Sequence, residues 1–145
     1  MTNSLLTFLL LLPFTLSNSF RHVHSDQNQS IEDKLLKKVG DLYEVKQFMI
    51  TAKASKPALM VARVPDKDFK YYWIKVGLSN FDQFRTTYDF YVEPKTLKIS
   101  YLDLMIDDGN NRTAIITLWQ WRHFRRHPAF KKMHYYRNGK IIASG

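Results

Sequence analysis

The chain has 145 residues, no cysteine and a formal net charge of +9, with 45% hydrophobic and 14% aromatic residues. That length fits one domain, and the apolar content is ample for a packed core, so disorder throughout is excluded. Without cysteine there are no disulfide frameworks, thiol catalysts or cysteine-rich zinc sites, and five glycines with no internal period exclude collagen-like and repeat architectures.

Residues 1–19 contain no charged side chain. Leu5, Leu6, Phe8 and the four leucines at 9–12 form an apolar run ahead of Pro13 and the small polar stretch Ser17-Asn18-Ser19. A run of about a dozen residues is too short to span a bilayer. Followed by small residues, it predicts a secretory signal peptide over 1–19, cleaved after Ser19 or, as an alternative, after Ser17, and a secreted or periplasmic location. No transmembrane helix is expected in the cleaved chain.

Residues 20–29 are polar with no usable period and read as a flexible leader. Ser30 with Asp33 then gives a helix start, and Ile31, Leu35, Val39, Leu42, Met49 and Ala52 share one helical face. The pattern predicts helix over 31–54, continuous or broken at Gly40, where Asp41 and Glu44 offer a second cap. Pro57 ends it.

Period two takes over from there. Residues 58–64, 71–78, 86–92 and 97–106 read as strands, with Tyr88, Phe90 and Val92 on one face and the turn Glu93-Pro94-Lys95-Thr96 closing a hairpin. A short strand is expected in 112–117. Thr117 and Gln120 form a capping box opening a helix that reaches Arg126 and stops at Pro128. Asn138-Gly139, between two short apolar pieces, is a strong hairpin signal. The fold class is α+β: an N-terminal helix packed on a four- to five-stranded antiparallel meander over residues 30–122. A basic, aromatic extension at 123–145 carries a short helix and a hairpin.

The phrases Pro65-Asp-Lys-Asp-Phe-Lys-Tyr-Tyr-Trp-Ile-Lys-Val-Gly77, Tyr88-Asp-Phe-Tyr-Val-Glu-Pro-Lys-Thr96, Ile99-Ser-Tyr-Leu-Asp103 and Leu118-Trp-Gln-Trp-Arg122 occur in that order. In these the chain resembles small uncharacterised secreted proteins of Bacteroidota, over roughly residues 42–122. The resemblance implies a helix-plus-meander domain, cystatin-like or PepSY-like in outline, and brings no catalytic residues with it. This chain departs from the group by a longer turn at 107–112 and by about twenty further residues after Arg122.

A hydrolase needs a nucleophile with its base, or two carboxylates held in a cleft. The thirteen acids are spread evenly, and no Gly-rich phosphate loop, His-Glu-x-x-His or nucleophile elbow occurs. Neither an enzyme activity nor a cofactor is expected. Asp107-Asp108-Gly109 lacks the alternating acids of a calcium loop and reads as a turn. His123 and His127, four residues apart, would share a helix face and chelate zinc or copper, although Arg122, Arg125 and Arg126 oppose a dication there. Cleavage after Ser19 would put His22 third in the mature chain, the arrangement of a square-planar copper(II) or nickel(II) site.

Two binding surfaces are expected. Aromatics on both faces of one strand leave Tyr71, Trp73 and Tyr91 on an open sheet face, which suits a protein partner or an inhibitor-like module. The last thirty-seven residues carry eight Lys and Arg and no acid, whereas residues 20–108 are nearly balanced, with fourteen positives against thirteen acids. Arg122, Arg125, Arg126, Lys131, Lys132, Arg137 and Lys140, interleaved with Trp119 and Trp121, suit a polyanion such as nucleic acid or lipopolysaccharide, or an anionic membrane surface. The expected function is therefore that of a secreted, non-enzymatic binding domain that meets an anionic partner through its C-terminus. The alternative is binding through the sheet face.

Overall fold

A computed structural model describes residues 22–80, 82–110 and 112–145, with side chains from Ile31 onward. The expected signal peptide lies outside the described residues. The fold is α+β, as expected. Two helices, α1 (His22–Gly40) and α2 (Tyr43–Thr51), precede a five-stranded sheet of β1 (Pro57–Arg63), β2 (Tyr72–Asn80), β3 (Gln83–Val92), β4 (Ile99–Asp103) and β5 (Ala114–Thr117). The strands lie in sequence order, and every neighbouring pair is antiparallel. A short helix α3 (Leu118–Phe124), a 3-10 turn (Pro128–Lys131) and a hairpin of β6 (His134–Arg137) and β7 (Lys140–Ala143) complete the chain.

The helical segment breaks in two where Gly40 stands. The first helix starts at His22, eight residues ahead of the expected cap at Ser30, within the stretch read as a leader. No glycine or proline lies between His22 and Gly40, so nothing in the backbone stops the helix from running upstream. Asp41 does not cap α2. The capping position is Leu42, without a side-chain bond, and Asp41 instead pairs with Lys37 at 2.8 Å and Lys46 at 3.0 Å. Pro57 opens β1, at the sheet edge where a missing N–H disturbs no ladder.

One face of the sheet is apolar and carries the core. Leu35 and Val39 of α1 and Val45 of α2 are fully buried together with Ile74, Val76, Phe90 and Val92. The capping box forms as expected, with the Thr117 side chain accepting from the Gln120 N–H and the Gln120 side chain from the Thr117 N–H. That start sets the phase of α3. Trp121 drops onto the sheet, stacks on Tyr101 at 4.9 Å and meets Phe90 and Tyr88 edge-on at 5.5 Å each.

The segment after residue 122 is part of the same core. Phe124, Ala129 and Ile141 join the buried cluster. His134 bridges to Ile106, with the His134 N–H donating to the Met105 carbonyl and the Asp107 N–H to the His134 carbonyl. The hairpin turns at Asn138-Gly139 with both φ positive, at 49° and 71°, as a two-residue turn of the mirror type requires. Among the described residues, no helix is long and apolar enough to cross a membrane.

Candidate functional site: a basic cleft between α2 and α3

The structure distributes the basic residues of the C-terminus over several places. Arg122, Arg125 and Arg126 gather on a cleft of about 530 Å3 between α2 and α3, with Tyr43, Glu44 and Phe48 from α2 and Tyr88 from the sheet on its walls. Arg126 also lines a second cleft of about 520 Å3 with Lys140, His123 and His127. Arg137 faces Asp107 and Asp108 in a shallower groove. Lys131 and Lys132 are exposed and border none of these.

The two tryptophans part company. Trp119 is 72% exposed and lies flat on His123, ring centroids 5.6 Å apart. Trp121 is 1% exposed. The expectation that Trp121 meets an anionic partner is thus corrected: the helix phase set at Thr117 points it into the core, where no ligand reaches it.

Among the described residues, the first cleft is held by one carboxylate against three guanidinium groups. Arg122 donates through Nε to Glu44 Oε1 at 2.8 Å and through Nη2 to Oε2 at 3.1 Å, and Arg125 Nη1 lies 3.8 Å from Oε1. Burial pushes the Glu44 carboxyl upward. The Arg122 hydrogen bond and the charges of Arg122 and Arg125 overcome that, and the net position is below the ordinary value. Arg125 is fixed further by lying 4.7 Å above the Trp121 ring and 5.9 Å from that of Tyr88. One negative charge cannot neutralise three positives, so the cleft keeps an excess of about two positive charges at neutral pH. Glu44 was missed in the sequence because nothing there brings residue 44 to residue 122.

The histidine pair does not form a helical chelate. The α3 helix ends at Phe124, and His127 caps the following 3-10 turn, its Nδ1 accepting the Ala129 N–H at 3.2 Å. Among the described residues, no three metal-ligating side chains come together. His22 opens α1, and its side chain lies outside the described residues.

The sheet-face residues do come together. Tyr71 stacks on Tyr91 at 5.3 Å and Trp73 meets Tyr91 edge-on at 5.9 Å. Phe69 packs on both tyrosines, at 6.2 and 5.3 Å. Cations cover the plate: Arg63 sits over Phe69 at 4.3 Å and Lys75 over Trp73 at 4.7 Å. Trp73 Nε1 donates to Asp89 at 2.8 Å. Burial raises the Asp89 carboxyl above its ordinary range, against the opposing pull of that bond and of Lys75. These rings therefore hold one another and leave little unpaired surface.

A third cluster had no counterpart in the sequence reading. Buried Asp103 receives His134 Nε2 at 2.8 Å and the Tyr136 hydroxyl at 2.5 Å on one oxygen, and the Met105 N–H at 3.0 Å on the other. His134 Nδ1 faces the Lys132 carbonyl at 2.8 Å. Both imidazole nitrogens thus lie within hydrogen-bond distance of an oxygen. His134 is 0% and Asp103 2% exposed. Alternation placed His134 and Tyr136 on one face of β6, a legible signal, but the partner thirty-one residues away was not.

No protein-family model, no curated protein and no solved structure matches this chain.

Proposed function

We propose that this protein is an exported, non-enzymatic binding domain whose basic C-terminal surface engages an anionic partner, centred on the cleft between α2 and α3. The observation that carries the reading is the set of Arg122, Arg125 and Arg126 around the carboxylate of Glu44. Arg125, sandwiched against rings, is pre-positioned, and a pre-positioned guanidinium loses less side-chain freedom on binding an anion than a free one. Tyr43, 69% exposed on the cleft wall, adds a ring against which a planar or sugar group can lie. Export is supported by the uncharged apolar run at residues 5–12. The non-enzymatic reading is supported by the burial of Asp103 and His134, a carboxylate–imidazole pair that no substrate can approach.

The test is retention on immobilised heparin and on single-stranded DNA. Deleting the chain after Arg126 would strip Ala129 and Ile141 from the core, so substitutions are the cleaner instrument. Replacing Arg122, Arg125 and Arg126 together by Gln is expected to abolish retention at about physiological salt, while Lys131→Gln with Lys132→Gln reduces it only slightly. If the triple variant is retained like the parent, the cleft is not the site. Interest then moves to a protein partner at the Tyr71–Trp73–Tyr91 plate.

A further inference from the structure

The second cleft differs from the first in two respects. Among the described residues no carboxylate lines it, and its buried lining is apolar. Buried Phe124 and Ile141 supply its apolar base, while the exposed Arg126, Lys140, His123, His127 and Pro128 line the rest. Because Nδ1 of His127 accepts the Ala129 N–H, the neutral ring carries its proton on Nε2 and offers a donor. Gly139 stands on the rim with a positive φ, and a Cβ built there would meet nothing within 4 Å, so the mouth is open on that side. Among the described residues every charged side chain on the lining is a cation, and none has a carboxylate of the cleft to neutralise it.

We propose that this cleft binds an anionic amphiphile, a phosphate, sulfate or carboxylate head joined to an alkyl or aryl body. The head is matched by Arg126 and Lys140, and the body by the base around Phe124 and Ile141. A bare inorganic anion leaves the apolar base in contact with water, and a neutral amphiphile leaves the two cations without a partner. The proposal rests on the anionic-partner reading above but places a chemically distinct ligand at a second cleft, with Arg126 on the wall of both. Such a ligand has two sources: an anionic lipid within a bilayer, or a free organic anion.

The full chain is titrated calorimetrically with octyl phosphate, inorganic phosphate and octyl glucoside, each kept monomeric. Octyl phosphate is expected to bind at least tenfold more tightly than either of the others. Lys140→Glu and the milder Lys140→Gln, at the exposed first residue of β7, are expected to weaken it at least fivefold and about threefold, whereas Arg122→Gln, confined to the first cleft, changes it less than twofold. Vesicles of phosphatidylcholine with and without phosphatidylglycerol separate the sources: Lys140-dependent binding to the anionic vesicles supports the bilayer, and octyl phosphate binding without vesicle binding supports a free anion. Equal affinity for octyl phosphate and inorganic phosphate overturns the proposal, as does indifference to both Lys140 variants. If octyl phosphate fails while heparin retention persists, this inference falls and the first cleft stands. Loss of both removes both.

Discussion

Trp119 and Trp121 are two residues apart, both aromatic and both beside arginines, yet one is 72% and the other 1% exposed. Two residues along a helix turn a side chain through about 200°, so the pair must face opposite ways once Thr117 fixes the start. Trp121→Ala is expected to lower stability by about 3–5 kcal/mol in chemical denaturation, the usual cost of emptying a large aromatic site. Trp119→Ala should stay within about 0.5 kcal/mol. Composition shows both residues as aromatic among basic ones. Only helix phase separates them: the capping box at Thr117 was legible in the sequence, but which of the two rings it turns onto the sheet was not. Charge partners were not legible, because Glu44 meets Arg122 only through folding. Glu44 has a depressed folded-state position, so the stability it contributes is present above its ordinary value of 4.5 and is lost as pH falls through the folded value. With Arg122 half in water, that contribution is about 1 kcal/mol or less. Asp89 has the opposite sign: its folded position is raised, so its charged form is disfavoured by folding and stability falls as pH rises through the window above 3.8. Asp89→Asn keeps an acceptor for Trp73 Nε1 and removes the buried charge, and thermal denaturation at neutral pH should find it neutral or slightly stabilising.

Among the elements, the strand order and the hairpins follow from alternation and turn chemistry, whereas the irregularities do not. Between β2 and β3 the register jumps from Val76 opposite Tyr88 to Gly77 opposite Thr86, leaving Thr87 as a bulge. The bulge brings the strands so close that a Cβ on Gly77 would lie 2.2 Å from the Arg85 carbonyl oxygen. Nothing in a run of β-formers announces this, because one glycine in a strand is compatible with several backbone shapes. The two turn-and-bulge glycines should behave differently on replacement by Ala. Gly77→Ala forces backbone apart and is expected to cost near the top of the roughly 1–3 kcal/mol range for overpacking. Gly139→Ala meets no atom and should cost only the left-handed backbone penalty of about 1–2 kcal/mol. The hairpin itself is tied to the sheet by Asp103, His134 and Tyr136. Asp103→Asn leaves one acceptor oxygen for the three groups that now share two, so at least one of His134 Nε2, the Tyr136 hydroxyl and the Met105 N–H loses its partner; the expected cost is about 1–3 kcal/mol, read as early loss of amide-exchange protection in β6 and β7.

For the whole molecule, the net charge of +9 resolves into a nearly neutral body and a basic end folded onto it. The division was legible from the sequence, but its arrangement was not. The segment is an ordered part of the core, and its cations are partitioned between two clefts, one groove and open surface. A diffuse basic tail would lose affinity evenly as any of its charges is removed; a cleft loses it at a few. The measurement that separates these is the affinity for a single-stranded oligonucleotide as a function of salt. With about two phosphates neutralised by the excess positive charge of the first cleft, log K against log salt should have a slope near −1.4. Replacing Arg122, Arg125 and Arg126 by Gln should bring that slope close to zero, and replacing Lys131 and Lys132 should leave it nearly unchanged. Equal slopes for the parent and the triple variant, or no binding by the parent at low salt, would contradict the account.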